Sequence, residues 1–224
     1  MDRTEPTVCI VLEGSYPYIT GGVSAWVHDL IVNLPHIRFI LFTISPEANQ
    51  PLRYVLPENV AEHRDLNLND FPPSKRLPKK KENQLFREIE KMHGSLFSGT
   101  IPDIHSLLEL FSEEYRPYIR SVKHPAGWKL ITESNQRHNP LYPFADYFWA
   151  WQSGHQMLFK VLGAAVPEAD IYHAVSPGYA GLVSLAAKIR HKKPFVLTEH
   201  GLYHKEREIE IRKTRMIDTH HHPV

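Results

Sequence analysis

The chain changes from one hydrophobic pattern to another at Glu13-Gly14-Ser15-Tyr16-Pro17-Tyr18-Ile19-Thr20-Gly21-Gly22-Val23. The run before this segment, residues 8–12, is continuously apolar, which is typical of a strand buried on both faces of a parallel sheet. After it, apolar residues recur at helical spacing as far as Leu34. The segment is therefore predicted to be a strand-to-helix turn, where the first helical N–H groups can bind an anion or a hydroxyl.

Two glycines, Gly21 and Gly22, lie at the start of the predicted helix. Glycine lets a ligand approach the backbone without meeting a Cβ atom. The same pair also fits a helix-entry turn without a ligand, because the full dinucleotide-binding glycine pattern is not present. Taken alone, the turn leaves both interpretations open.

Composition limits the class of protein. A chain of 224 residues can hold one large domain, or a domain with a sizeable insertion. The formal net charge of +1 gives no sign of a nucleic-acid partner. The single cysteine, Cys9, lies inside the first apolar run, so we expect a buried structural thiol and a reducing compartment.

The chain has no apolar stretch of the roughly 20 residues that a membrane-spanning helix needs. The N-terminal residues are polar and acidic, unlike a signal peptide. We therefore expect a cytoplasmic protein.

Further strands are predicted downstream, separated by helical segments. The apolar and β-branched runs lie at 37–44, 169–175 and 194–198, with a more polar candidate at 60–68. The run at 194–198 is predicted to be buried like the first. This alternation predicts an α/β fold with a Rossmann-like parallel sheet flanked by helices.

The middle of the chain has a different character. A Pro- and Lys-rich segment from Phe71 to Lys81 is predicted to be a solvated loop rather than a polyanion site. Helical apolar stripes follow, with an aromatic-rich one near Trp151, and these predict the core of an insertion rather than a cofactor site. We place this mostly helical insertion at about 71–160.

Polar or glycine residues follow three of the predicted strands, at 13–22, 173–178 and 198–201. In open α/β sheets, ligands bind outside the carboxyl ends of the strands. We therefore expect these three segments to converge on one crevice, and this convergence is the functional inference that the residues support.

Three blocks of sequence, taken in order, resemble the N-terminal domain of PelF-type glycosyltransferases, which belong to glycosyltransferase family 4 and assemble the Pel exopolysaccharide. The blocks are Leu12-Glu13-Gly14-Ser15-Tyr16-Pro17-Tyr18 with Gly21-Gly22-Val23-Ser24-Ala25-Trp26-Val27, Asp170-Ile171-Tyr172-His173-Ala174-Val175-Ser176 with Gly178-Tyr179-Ala180-Gly181, and Leu197-Thr198-Glu199-His200-Gly201-Leu202-Tyr203 with Lys205-Glu206-Arg207. The resemblance covers nearly the whole chain and is weakest from residue 49 to 165.

This resemblance implies a GT-B architecture, in which two Rossmann-like domains face each other across a cleft. The N-terminal domain binds mainly the acceptor, and the C-terminal domain binds mainly the nucleotide-sugar. It also implies a retaining sugar transfer from a nucleotide-sugar, such as a UDP-sugar, to a growing exopolysaccharide, without a metal or other cofactor. Membrane-bound polysaccharide-assembly proteins are implied partners, which would place the chain at the inner face of the membrane.

Under this resemblance, residues 1–205 form the acceptor-side domain, residues 206–224 form a tail, and the donor-binding domain is absent. Little transferase activity is then expected from this chain alone. The alternative is a non-catalytic carbohydrate-binding module or an inactive fragment.

The resemblance and the strand ends together give a set of candidate site residues. The candidate catalytic residues are His173 and His200. The candidate substrate-binding residues are Glu13, Tyr18, Gly21, Gly22, Val23, Ser176 and Glu199. No metal ligands are predicted, because the consecutive histidines at 220–222 lie in a terminal stretch without a closed site.

Each candidate also has a structural interpretation. Many family-4 enzymes have a second histidine two residues after the first, where this chain has Val175, so the role of His173 stays open. Both histidines could simply be hydrogen-bonded at strand ends. Glu13 and Glu199 could form internal salt bridges, with Lys205 or Arg207 as partners, and Tyr18 could pack on its loop instead of stacking on a sugar.

Overall fold

The computed structural model describes residues 5–71, 78–111, 124–138 and 140–214. Contacts divide the chain into two compact units, one formed by residues 1–67 and 167–224 and the other by residues 68–166. Most of the predicted loop at 71–81 falls outside the described residues, but its last three residues, 79–81, already belong to a helix that begins at Lys79, so the prediction was wrong there. The histidines at 220–222 fall outside the described residues entirely.

The first unit contains a parallel sheet of five strands in the order β3-β2-β1-β4-β5. Its elements are β1 (Thr7–Glu13), α1 (Gly22–Val32), β2 (Arg38–Ser45), β3 (Val60–Asn67), β4 (Ile171–Ala174), α6 (Tyr179–His191), β5 (Phe195–Leu197) and α7 (Tyr203–Thr214). This architecture confirms the predicted α/β fold with a Rossmann-like parallel sheet flanked by helices.

Strand β1 lies at the centre of the sheet, and its burial follows from that position. Ile10 and Leu12 are fully buried on one face and belong to a core cluster with Val27 and Ile31 of α1. Because side chains alternate along a strand, the neighbouring Cys9 lies on the other face, and it is also fully buried. Both faces of the sheet are therefore covered at β1, as the continuous apolar run predicted.

The environment of Cys9 agrees with a structural thiol. Burial is the main reason that the pKa of its thiol is raised to about 12. At neutral pH the thiol therefore stays protonated, and a thiolate-based function has no support.

The prediction that the run at 194–198 is a buried strand was wrong in one respect. It forms β5, but β5 lies at one edge of the sheet, and Val196 and Leu197 are each 44% exposed. An apolar run indicates that a segment can form a strand. How exposed that strand is depends on its place in the sheet, and the run itself gives no information about the order of the strands.

The second unit is helical, and it lies between β3 and β4 in the sequence. Its elements are α2 (Lys79–Phe97), α3 (His105–Leu108), α4 (Pro125–His138) and α5 (Phe144–Leu162). The predicted stripe of α2 is buried, with Leu85, Phe86, Ile89 and Met92 all in the core. Near the start of α2 the buried Glu82 faces His124 at 3.6 Å, so this core includes a polar pair.

None of the helices in the described part of the chain is both long enough and apolar enough to cross a lipid bilayer.

Candidate functional site

A cleft of about 240 Å³ lies in the first unit, at the carboxyl ends of β1, β4 and β5. Its lining residues are Glu13, Ser15, Val23, Val175, Ser176, Pro177, Glu199, His200, Gly201, Tyr203 and Glu206. All three segments that were expected to converge contribute to this lining. The strand order reverses between β1 and β4, and in open parallel sheets such a reversal is where ligands bind.

The cleft brings together some of the predicted site residues and not others. Five of them line it, namely Glu13, Val23, Ser176, Glu199 and His200. Four lie outside the lining, namely Tyr18, Gly21, Gly22 and His173.

Glu13, the last residue of β1, is held at the start of α6. Its Oε2 atom accepts a hydrogen bond of 2.8 Å from the backbone N–H of Tyr179, the first residue of that helix. Gly178 makes this approach possible, since a Cβ atom there would lie only 2.7 Å from the same oxygen. The carboxylate thus interacts with a helix N-terminus, where a negative charge is favourable.

Glu199 has the corresponding position at α7. Its Oε1 atom accepts a hydrogen bond of 3.1 Å from the backbone N–H of Tyr203, the first residue of that helix. Lys205, one of the proposed salt-bridge partners, lies 3.4 Å from Glu208. Both glutamates therefore act as acceptors for helix N-termini, which the sequence analysis did not anticipate.

Both candidate histidines make edge contacts with the same indole ring. The ring of Trp26, on α1, has its centroid 4.8 Å from that of His200 and 6.0 Å from that of His173. His200 is exposed at the cleft, whereas His173 is half-buried and its Nε2 atom lies 2.8 Å from the Thr198 hydroxyl. Burial, and secondarily the neighbouring His200, lower the pKa of His173, so the neutral imidazole is favoured at pH 7.

Tyr18 belongs to a different polar network, which it forms with side chains of β2 and β3. Its hydroxyl lies 3.1 Å from Oγ1 of Thr43 and 3.2 Å from Nε2 of His63, and Thr43 in turn donates to Asp65 at 2.7 Å. Burial raises the pKa of Tyr18 and lowers that of His63, so both side chains are neutral at pH 7. The network ties the turn that contains Tyr18 to the sheet.

The glycine pair is not required by the geometry of the turn. Gly21 has an extended backbone with φ of 171°, which any residue can adopt, and a Cβ atom at Gly21 or Gly22 would meet nothing within 4 Å. Gly14 differs, because its φ of +57° favours glycine. Helix α1 also starts without a side-chain cap, in contrast to the acceptors that Glu13 and Glu199 supply to α6 and α7.

Two hydroxyls at the cleft lack hydrogen-bond partners. The Oγ atoms of Ser15 and Ser176 are buried, and neither has a partner among the described residues. Buried polar groups are nearly always paired in folded proteins. Rotation about χ1 would therefore turn either hydroxyl toward a ligand in the cleft without breaking a hydrogen bond among the described residues.

Several cleft residues were not predicted from the sequence. Tyr203 and Glu206 lie in the first turn of α7, where the polar sequence shows no apolar stripe. Trp26, which was assigned to the packing stripe of α1, does not line the cleft but contacts His200, which does. A local signal for the start of α7 was present in the sequence, because Glu199 lies four residues before Tyr203 and can accept a hydrogen bond from its backbone N–H.

Metal binding finds no support in the part of the chain that the structure describes. No group of three or more His, Cys, Asp or Glu side chains is arranged there to hold a metal ion. The cleft instead offers carboxylates, hydroxyls and an imidazole, a set suited to a hydroxyl-rich ligand.

Fold and cleft together define a Rossmann-like α/β domain with a ligand cleft at its switch point. The chain matches, over residues 6–223, a family described as a domain of unknown function, DUF3492, and it belongs to that family. This domain is associated with family-4-like glycosyltransferases. No significant match to a curated protein or to a solved structure was found.

Proposed function

We propose that this chain is the acceptor-side part of a retaining glycosyltransferase of the PelF type. The enzyme transfers a sugar from a nucleotide-sugar, a UDP-sugar, to a growing exopolysaccharide, and the cleft binds the acceptor. The observation that carries the proposal is that the ends of β1, β4 and β5 meet at one cleft, in a family associated with family-4-like glycosyltransferases.

The residues have distinct roles in this proposal. Glu13 and Glu199 accept hydrogen bonds from acceptor hydroxyls, and Ser176 donates a hydrogen bond to one or accepts from one. Trp26 holds the imidazole of His200 beside the reacting sugar. His173 lies within hydrogen-bond distance of Thr198 and makes an edge contact with Trp26, so we assign it a positioning role. Gly21 and Gly22 leave the start of α1 open to the ligand.

In the proposed division of labour, the nucleotide-sugar is bound mainly by a second Rossmann-like unit, and the enzyme needs no metal or other cofactor. Membrane-bound polysaccharide-assembly proteins are the proposed partners, at the inner face of the membrane. Titration calorimetry of this chain with UDP-glucose tests the division directly. We expect no binding in the micromolar range, and micromolar binding would contradict it.

A transfer assay tests the activity. The full protein, as its gene encodes it, is incubated with a radiolabelled UDP-sugar and an oligosaccharide acceptor. We expect His200→Ala to reduce transfer by about a hundredfold or more, in line with the loss of a group at a reacting centre. The matched control is His36→Ala, an exposed histidine of the same unit outside the cleft, which should retain activity.

A second candidate is a carbohydrate-binding module without catalysis. It is favoured by one observation, that the chemistry lining the cleft suits sugar hydroxyls whether or not a donor is present. If the full protein binds oligosaccharides but transfers no sugar from any nucleotide-sugar, this second candidate replaces the first.

A further inference from the structure

The cleft is lined by acidic side chains. Three carboxylates line it, those of Glu13, Glu199 and Glu206, and none of its lining residues in the described part of the chain is a lysine or an arginine. The whole chain, by contrast, has nearly balanced charge, with 26 basic and 25 acidic residues. The acidity of the cleft is therefore a local property that a ligand entering it would meet.

The helix N-termini at the cleft are already occupied by carboxylates of the chain. The start of α6 already accommodates the carboxylate of Glu13, at 2.8 Å from the Tyr179 N–H, and the start of α7 accommodates that of Glu199, at 3.1 Å from the Tyr203 N–H. A helix N-terminus normally attracts phosphate or another anion. At α6 and α7 an external anion would have to displace a carboxylate of the chain itself.

Two independent features indicate that a ligand enters here. The cleft has a volume of about 240 Å³, enough for a sugar unit, and the hydroxyls of Ser15 and Ser176 beside it have no partner among the described residues. A neutral sugar can donate its hydroxyls to the carboxylates and complete the bonding of the serines. An anionic group in the same position would be repelled by the negative charge of the carboxylates.

We propose that the cleft selects its ligand by charge. As its acceptor it takes a sugar unit without negative charge, it binds an ammonium-bearing sugar more tightly still, and it excludes uronate and sugar-phosphate units from the acceptor position. That the ligand is a sugar rests on the proposed function, whereas the selection by charge rests on the three carboxylates and the two occupied helix N-termini.

Three probes with the same ring test this selection, namely methyl glucoside, methyl glucosaminide and methyl glucuronide. Binding to the whole chain is followed by NMR, with the backbone amides of Gly178 and Gly201 as reporters at the cleft. We expect the glucosaminide to bind about threefold to tenfold more tightly than the glucuronide, with the glucoside between them. Because salt screens exposed charges, high ionic strength should reduce this ratio.

Two variants test whether the ratio of these affinities depends on the carboxylates of the cleft. The double variant Glu199→Gln with Glu206→Gln keeps the shape of both exposed side chains and removes two charges, and we expect it to bring the three affinities close together. The control is Glu58→Gln, an exposed glutamate of the same unit that does not line the cleft, and it should keep the ratio of the unmodified chain.

The outcomes separate the two proposals. Equal affinities, or tighter binding of the glucuronide, would overturn charge selection and leave sugar binding intact. Failure of all three probes to bind, or binding of inorganic phosphate at the same amides, would overturn it as well. If the order of affinities holds but the full protein shows no transfer, the selection stands and the transferase proposal fails.

Discussion

At the scale of single residues, the turn after β1 contains two glycines whose backbone conformations differ, Gly14 and Gly21. Gly14 has a φ of +57°, which L side chains rarely adopt, although a Cβ atom would meet nothing. Gly21 has an extended backbone and equally open surroundings. Backbone strain and steric contact can therefore be separated at these two positions.

We predict that Gly14→Ala lowers the free energy of unfolding by about 1–2 kcal/mol, which is the usual cost of a left-handed conformation for an L residue. Gly21→Ala should change it by no more than about 0.5 kcal/mol. Urea unfolding followed by circular dichroism measures both. Equal losses for the two variants would show that the turn does not have the described conformation.

Another residue-scale property concerns His155 in the helical unit. Its Nδ1 atom lies 2.7 Å from the carbonyl oxygen of Trp151 and must donate to it, because a carbonyl can only accept. In the neutral ring, Nε2 is then an acceptor, and it lies 2.8 Å from Nε2 of His93. Burial, and secondarily the neighbouring His93, lower the pKa of His155 to about 3.

This lowered pKa makes the stability of the unit sensitive to acid. Below the ordinary value of 6.5, the unfolded chain takes up a proton at His155 that the folded chain does not. The free energy of unfolding should therefore fall with decreasing pH, by up to about 1.4 kcal/mol per pH unit until the folded-state pKa is reached. In His155→Phe this contribution should vanish, so that urea unfolding between pH 7 and 5 gives a flatter profile. Parallel profiles for the two proteins would contradict the assignment.

At the scale of elements, the start of α6 depends on the end of β1. The carboxylate of Glu13 accepts from the N–H of Tyr179, 166 residues away in the sequence, and Gly178 leaves room for it. A helix cap of this kind cannot be found from local sequence, because the acceptor belongs to a distant strand end.

We predict that Glu13→Gln lowers the free energy of unfolding by about 0.3–1 kcal/mol, since the amide retains an acceptor oxygen but loses the charge at the helix N-terminus. Glu13→Ala should cost more, about 1–2 kcal/mol, because it also removes the acceptor. Urea unfolding gives the energies, and the amide shift of Tyr179 reports the local contact. An unchanged Tyr179 shift in Glu13→Ala would show that the hydrogen bond is not formed.

The elements also show how far the sequence could predict the site. The strands and the convergence of their ends followed from the apolar runs and from the rule for parallel sheets. The exposure of Val196 could not be predicted in this way, because it depends on the position of β5 at an edge of the sheet. Nor could the position of Tyr18, whose hydroxyl meets Thr43 and His63 from two other strands.

At the scale of the whole molecule, the chain combines a Rossmann-like unit with a helical unit of residues 68–166. The cleft belongs entirely to the first unit, although the residues that line it come from both of the segments that form this unit. Forming the cleft therefore requires the two segments to pair, through the parallel contact of β1 with β4. Its acidity then decides which ligands can enter.

Hydrogen exchange with mass-spectrometric detection, in the absence and presence of a neutral oligosaccharide acceptor, tests most directly whether the three strand ends form one ligand site. We expect residues 13–23, 175–178 and 199–206 to become protected together, while α2 in the helical unit is unchanged. Protection of only one of these segments, or protection confined to residues 68–166, would contradict it.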